Sequence, residues 1–277
     1  MKSDLTIGCI SDEKYVPLLK PFLTSLYNFN QDIKVYATLV DCEHLNDNVQ
    51  SISNNITIVN DNISLSTKRK HLARHGLPVF DTLNNTSTKP ISGGFKGPRW
   101  LMSDKACYCS NIRFRVIADI LNRGHKQVLF MDVDAIVRKP LHDLTKLITD
   151  HDITILKEIR GFNSENPALR DKFAPPDFID WHCGIIGIRN NEICREFISK
   201  VQERTEADMW NWDADQDQFN ITFNEYADKV KLCNLPKEFK DEGYRSTGYS
   251  DNSYIWCGAG EAKYSNSQYI TEQNKWI

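Results

Sequence analysis

The chain has 277 residues, enough to bury a substantial core as one large domain or two small ones. Its 34 Lys and Arg against 37 Asp and Glu leave a formal charge of −3, without the basic excess that nucleic-acid binding needs. The composition, 40% hydrophobic and 26% charged, excludes a disordered or fibrous chain, and no run approaches the roughly 18 apolar residues of a membrane span. The opening MKSDLTIGCISDEKY carries no apolar stretch of signal-peptide length, so a cytoplasmic protein is the expectation. Eight cysteines form no disulfide or zinc-ribbon spacing and read as reduced, mostly core residues. The N-x-S/T sequons at Asn55, Asn62, Asn84, Asn85 and Asn220 read as chance in an Asn-rich chain.

In chain order, Leu5–Ile10 reads as a strand and Tyr15–Tyr27 as a helix. Strands follow at Ile33–Val40 and Ile56–Val59. Residues 61–102 break the pattern with a basic cluster (Lys68, Arg69, Lys70) and a Gly93-Gly94…Gly97-Pro98 turn group, and are expected to form a variable surface excursion. Lys105–Leu121 then has helical periodicity, and Gln127–Met131 is a compact apolar strand. Further strands are expected at Ile153–Leu156 and Gly184–Ile188, and further helices at Asn191–Val201 and Gln216–Tyr226. This alternation predicts an α/β fold with a mostly parallel central sheet flanked by helices, in a single domain spanning 1–277. Such sheets bind ligands at the carboxyl ends of their strands.

The apolar strand in VLFMDVDAIVRKPL ends abruptly in Asp132-Val133-Asp134. Two carboxylates at a strand end are costly unless they are solvated or hold a cation. As hard oxygen donors they suit Mg²⁺ or Mn²⁺ and leave other coordination positions for a diphosphate. A solvated strand end is the bland alternative.

This segment resembles the DxD element of glycosyltransferase family 8, the glycogenin and bacterial galactosyltransferase group with the GT-A fold. The likeness recurs at ISDEKYVPLL, NIRFRVIADIL, WHCGIIGIR, DADQDQFNIT and YIWCGAGEAKY, from residue 10 to residue 264. It implies a glycosyltransferase that moves a sugar from a UDP-sugar to a carbohydrate or glycoconjugate acceptor, with Mn²⁺ or Mg²⁺ and retention of anomeric configuration. The nucleotide would lie against Ile10, Asp12, Tyr15, Asp132, Val133, Gly260 and Lys263. Within that set Asp12 and Tyr15 meet the uracil, and Lys263 neutralises the diphosphate. Arg115, 17 residues ahead of Asp132, His182 and Asp215 would contact the donor sugar, with Gln216 beneath its anomeric carbon. Gln216 and Asp215 are thereby the catalytic candidates, and Arg113 is expected to be structural or exposed. The metal would take Asp132 and Asp134.

The chain departs from the family pattern twice. His182 and Cys183 stand where the family has Asn and Ser, and Cys257 stands in place of the His that is the third metal ligand. A thiolate is a soft ligand poorly matched to Mg²⁺, so either Cys257 coordinates or another group or water completes the shell. Three other readings compete. Asp213, Asp215 and Asp217 have the spacing of a calcium loop, but Gln218 and Asn224 replace its obligatory Gly and Glu. A haloacid dehalogenase-type phosphatase also begins from a strand and D-x-D, but needs a later acidic pair, and this chain contains no Asp-Asp. A non-catalytic sugar-nucleotide-binding protein on the same fold is the third.

Overall fold

The computed structural model describes residues 4–65, 70–72, 101–158, 180–212, 214–243, 248–258 and 262–277. The chain opens with β1 (Leu5–Asp12), α1 (Val16–Phe29), β2 (Lys34–Val40), α2 (Asn46–Gln50) and β3 (Ile56–Asp61). Short strands β4 (Lys70–Leu72) and β5 (Leu101–Ser103) pair antiparallel, and most of the expected excursion between them lies outside the described residues. Next come α3 (Asp104–Asn111), α4 (Arg113–Asn122), β6 (Gln127–Met131), β7 (Ala135–Val137), α5 (His142–Asp150), β8 (Ile153–Glu158) and β9 (Asp180–Arg189). The chain ends with α6 (Glu192–Ala207), α7 (Ala214–Tyr226), β10 (Leu232–Asn234), β11 (Ile255–Cys257), α8 (Ala262–Ser265) and α9 (Ser267–Gln273).

Seven strands form one sheet in the order β10-β8-β9-β6-β1-β2-β3. The pairs β1–β2, β2–β3, β1–β6 and β8–β10 are parallel, as the strand–helix alternation predicts. The departure is β9, which runs antiparallel between β6 and β8. Its pairing register with β8 shifts between Ile155 and Leu156.

Both faces of the central strands are covered, which is why those strands read as apolar runs rather than alternations. On one face Leu5, Ile7, Leu129 and Met131 pack with Leu19, Phe22 and Leu23 of α1 and Leu144 and Ile148 of α5. On the other, Val128, Phe130, Ile186 and Ile188 meet Phe114, Ile117 and Ile120 of α4 and Phe197 and Phe219 of α6 and α7. The approach of α4 to β1 is close. A Cβ on Gly8 would lie 2.9 Å from Ile120 Cδ1, so only glycine fits there without movement. All eight cysteines are unbonded, and six are buried. Among the described residues no helix is long and apolar enough to cross a membrane.

The predicted helix 105–121 is two helices. Ile112, with ψ near 2°, separates α3 from α4. Asn111 ends α3 with its side chain committed elsewhere, donating to the carbonyls of Met209 (2.8 Å) and Asn211 (2.7 Å). Its Oδ1 accepts from the N–H of Asp215 at 3.1 Å. The end of α3 is thereby tied to the first turn of α7.

Candidate active site

The carboxyl end of β6 sits at the centre of the sheet, and the site is built around it. The Asp132 N–H donates to Gly184 O on β9 (2.9 Å), and Ala135 N–H returns to Asp132 O (3.2 Å), turning the chain from β6 into β7. β7 then pairs antiparallel with β11, bringing Cys257 opposite Ala135. The Asp134 carbonyl accepts from Gly258 N–H (2.8 Å) and from Tyr269 OH (2.7 Å). The C-terminal segment is thus fastened over the Asp132–Asp134 turn, although its resemblance to the family motif lies more than 120 residues downstream.

The two carboxylates have different surroundings. Asp134 Oδ2 is 2.6 Å from Lys263 Nζ, in a partly buried pair. Burial opposes the charge on Lys263, but Asp134 and the neighbouring Tyr15 outweigh it and raise its pKa. Asp132 keeps 43% of its side-chain surface open. Crowding by protein raises its pKa, while Arg113 at 3.6 Å pulls the other way.

Arg113, expected to be structural or exposed, stands at the centre of this network. Its Nε lies 2.9 Å from Asp215 Oδ2, its Nη1 faces Asp132, and it donates to Cys183 O. Burial works against the guanidinium charge, and Asp215 and Asp132 more than compensate. Arg115, the residue expected at the sugar, is not brought to this cluster. It donates to Glu206 (2.8 Å) and Tyr108 OH (2.7 Å), and lies 3.8 Å from Asp61. Residues two apart on a helix face opposite sides, so only one of these arginines can look into the cleft. The signal was present in the sequence. Arg113 shares the buried stripe of Val116, Ile117 and Ile120, and a cation on a core stripe needs buried partners.

The other expected residues fall as follows. Asp12 ends β1, and its Oδ1 accepts from Tyr15 N–H (3.0 Å), fixing the turn into α1. The Tyr15 ring carries Lys263 Nζ 4.8 Å from its centroid, so the base-facing candidate and the diphosphate-facing one are adjacent. Ile10 and Val133 are core residues whose side chains pack inward. Asp215 is fully buried against Arg113, and Gln216, one residue later in the first turn of α7, is half-buried. This setting, inside a helix and paired with an arginine, leaves no calcium loop. Gly260 and Asp213 lie outside the described residues.

Next to Asp132, His182 of the expected sugar set meets two residues that no sequence motif marks. His182 Nε2 is 3.4 Å from Glu242 Oε1, and Glu242 is ion-paired to Lys240. Lys240 and Glu242 are both buried. Cys257, expected in the third-ligand place, is buried, and burial drives its thiol pKa well above the usual value, against ligation as thiolate.

A divalent cation suits part of this arrangement. Asp132 and Asp134 offer oxygen donors on one turn, and Gly184 leaves room beside them. A Cβ there would lie 2.6 Å from Asp132 Oδ2. Among the described residues, no three His, Cys, Asp or Glu side chains converge on a common point. A cation therefore has to draw Asp134 away from Lys263.

No protein-family model matches the chain, and no curated protein sequence does. Solved structures do share its fold. The galactosyltransferase LgtC, in complex with donor and acceptor sugar analogs, superposes with a TM-score of 0.54 at 15% identity, over 98% of this chain and 96% of LgtC. An active-site mutant of LgtC gives 0.56 at 14% identity, over 98% and 95%. The glycosyltransferase GlyE of Streptococcus pneumoniae TIGR4 gives 0.54 at 16% identity, over 98% of this chain and 62% of GlyE. The fold is thus the GT-A fold expected from the spaced motifs, and not that of a haloacid dehalogenase.

Proposed function

We propose that the protein is a metal-dependent glycosyltransferase that moves a hexose from a UDP-sugar to a carbohydrate or glycoconjugate acceptor, with retention of configuration. The observation that carries this reading is the turn Asp132–Asp134 at the end of β6, joined by Arg113 to Asp215 and by Lys263 to Tyr15. The GT-A fold, with ligands expected at the carboxyl ends of its strands, supports it.

Charge balance supports a cation as well. Four carboxylates (Asp132, Asp134, Asp215, Glu242) face three cationic side chains (Arg113, Lys240, Lys263). Among the described residues, this set carries no positive excess for a diphosphate. Asp132 and Asp134 would hold Mn²⁺ or Mg²⁺, which when bound supplies the charge that steadies a departing diphosphate. Lys263 exchanges Asp134 for the phosphate oxygens and adds its own charge. Tyr15 offers the base a flat face, and Asp12 meets its N–H edge. Arg113, fixed between Asp132 and Asp215, positions the metal turn relative to the start of α7. Gln216 then faces the reacting sugar carbon.

The test is calorimetric titration with UDP, with and without Mn²⁺, alongside UDP release from a panel of UDP-sugars. Metal-dependent UDP binding and release from at least one donor are expected. Asp134→Ala should abolish the metal dependence while the melting curve without metal stays close to wild type. UDP binding that is unaffected by Mn²⁺ in the wild type removes the proposal.

A further inference from the structure

The metal site proposed above has two carboxylates from one turn and, in the place of its third ligand, a buried thiol. Hard divalent ions such as Mg²⁺ and Mn²⁺ bind thiols poorly compared with oxygen or imidazole nitrogen. The neighbourhood of Asp132 contains such a nitrogen, on a different element.

His182 lies on β9, two residues before Gly184. Because position 184 has no side chain, the Asp132 carboxylate and the His182 ring occupy the same small space. The point a Cβ would take there is 2.6 Å from Asp132 Oδ2 and 3.4 Å from both Nδ1 and Cε1 of His182. The Nδ1–Cε1 edge of the ring and the Asp132 carboxylate therefore both border the space above Gly184. Nδ1 accepts the Gly184 N–H in a long contact of 3.3 Å, which makes it the unprotonated nitrogen. The proton then sits on Nε2, 3.4 Å from Glu242 Oε1.

A histidine that ligates a metal through one ring nitrogen usually donates the other N–H to a carboxylate, which fixes the tautomer and raises the basicity of the ligating nitrogen. Glu242 is in that place. Its own charge is balanced by Lys240, and the Glu242 and Lys240 side chains keep only 5% and 2% of their surface. Both act from within the protein and neither is left to bind a ligand directly. A neutral imidazole also adds a donor without adding negative charge beside Asp132, Asp134 and Asp215.

We infer that His182 Nδ1 is the nitrogen ligand of the divalent cation held by Asp132 and Asp134, with Glu242 and Lys240 as its positioning residues and Cys257 outside the shell. The inference rests on the proposed metal–nucleotide site and moves His182 from the donor sugar to the metal. Ligation requires Nδ1 to give up its long contact with Gly184 and Asp134 to leave Lys263. The ion alone is therefore held weakly, and more tightly once a diphosphate occupies Lys263. Imidazole favours first-row transition ions over Mg²⁺, so Mn²⁺ is preferred.

The decisive measurement is pulsed electron paramagnetic resonance of the whole protein with Mn²⁺ and UDP. A ¹⁴N imidazole coupling to Mn²⁺ is expected, replaced by ¹⁵N coupling when the protein is grown with ¹⁵N-histidine, an arm that needs no mutation. His182→Asn should abolish the coupling and weaken Mn²⁺ binding in the presence of UDP by more than the roughly 10- to 100-fold that loss of an outer-shell partner costs. Glu242→Gln should keep the coupling and weaken binding by a smaller factor, and metal-free melting curves check that both variants fold. An Mn²⁺–UDP complex without imidazole coupling, or with coupling that survives His182→Asn, overturns the inference and leaves the glycosyltransferase reading intact. A wild-type protein that binds no Mn²⁺ with UDP overturns that reading and this inference together.

Discussion

Replacing Arg113 separates the sequence expectation from the structure most sharply. The guanidinium is buried, 2.9 Å from the buried carboxylate of Asp215 and 3.6 Å from Asp132. Arg113→Met removes the cation and leaves Asp215, with 1% of its side chain exposed, beside an apolar group. Breaking a buried pair on one side costs about 3–5 kcal/mol. For a chain of this length that corresponds to a fall in Tm on the order of 10 °C. Arg113→Lys restores the charge but not the fork that serves two carboxylates and the Cys183 carbonyl, so an intermediate loss is expected. Arg115→Met is the control. Its pair with Glu206 is about one-third exposed on both sides, and such pairs contribute about 0–1 kcal/mol. Urea denaturation gives the stabilities, and turnover of the best donor gives the function. Arg113→Met should lose both, and Arg115→Met neither. If Arg115→Met abolishes turnover while Arg113→Lys is silent, the sequence spacing identified the right arginine and the cleft described above is misassigned.

Gln216→Ala should leave UDP affinity nearly unchanged and lower turnover by two to four decades, roughly 3–5 kcal/mol at about 1.36 kcal/mol per decade; UDP calorimetry beside donor kinetics checks it, and a parallel loss of UDP binding refutes it. Asp152 binds β8, β9 and β10 together through Lys231 N–H (2.8 Å), Asn191 (2.7 Å) and Arg189 (2.6 Å). Burial raises its pKa, but these donors outweigh it and hold the value below the ordinary 3.8. Its contribution is therefore present above pH 3.8 and lost as pH falls through the lower folded value. Asp152→Ala should cost about 2–3 kcal/mol at pH 7 by urea denaturation, with the gap to wild type closing in strong acid; a gap independent of pH refutes it. The double variant Cys257→His/His182→Asn should recover part of the Mn²⁺ affinity that His182→Asn loses, and no recovery means that position 257 cannot reach the ion.

The strands and the carboxylate turn were legible because their physics is local. Gln127–Met131 is buried on both faces and therefore uniformly apolar, and it is followed at once by two carboxylates that such a core cannot hold. The break at Ile112 was not legible, since it accompanies a tertiary commitment of Asn111 to the loop before α7, a hundred residues away. The antiparallel course of β9 was hidden for a related reason. A strand covered on both faces looks the same in either direction. The place of Arg113 could have been read from its helical stripe; the 17-residue spacing that points to Arg115 runs from α4 through a turn and β6, and such a count does not fix which side of the helix faces the cleft.

Lys240 and Glu242 show a different limit. In sequence, KDEG is an ordinary charged turn, and nothing local separates it from a solvated one. What buries it is the bridge between Asp241 and Trp256, with Asp241 N–H donating to Ile255 O and Cys257 N–H to Asp241 O. With Asp241 paired to the backbone of β11, Lys240 and Glu242 meet each other in the interior, where Glu242 faces His182. The segment that buries this pair is the one that carries Cys257. The two departures from the family pattern, His182 and Cys257, were separate puzzles in the sequence, 75 residues apart. In the fold they border the same carboxylate turn. A thiol at 257 leaves the Asp132–Asp134 turn without an imidazole from that position, and His182, backed by Glu242, offers one from β9. On the metal site inferred above, the two departures amount to a single exchange of ligand position.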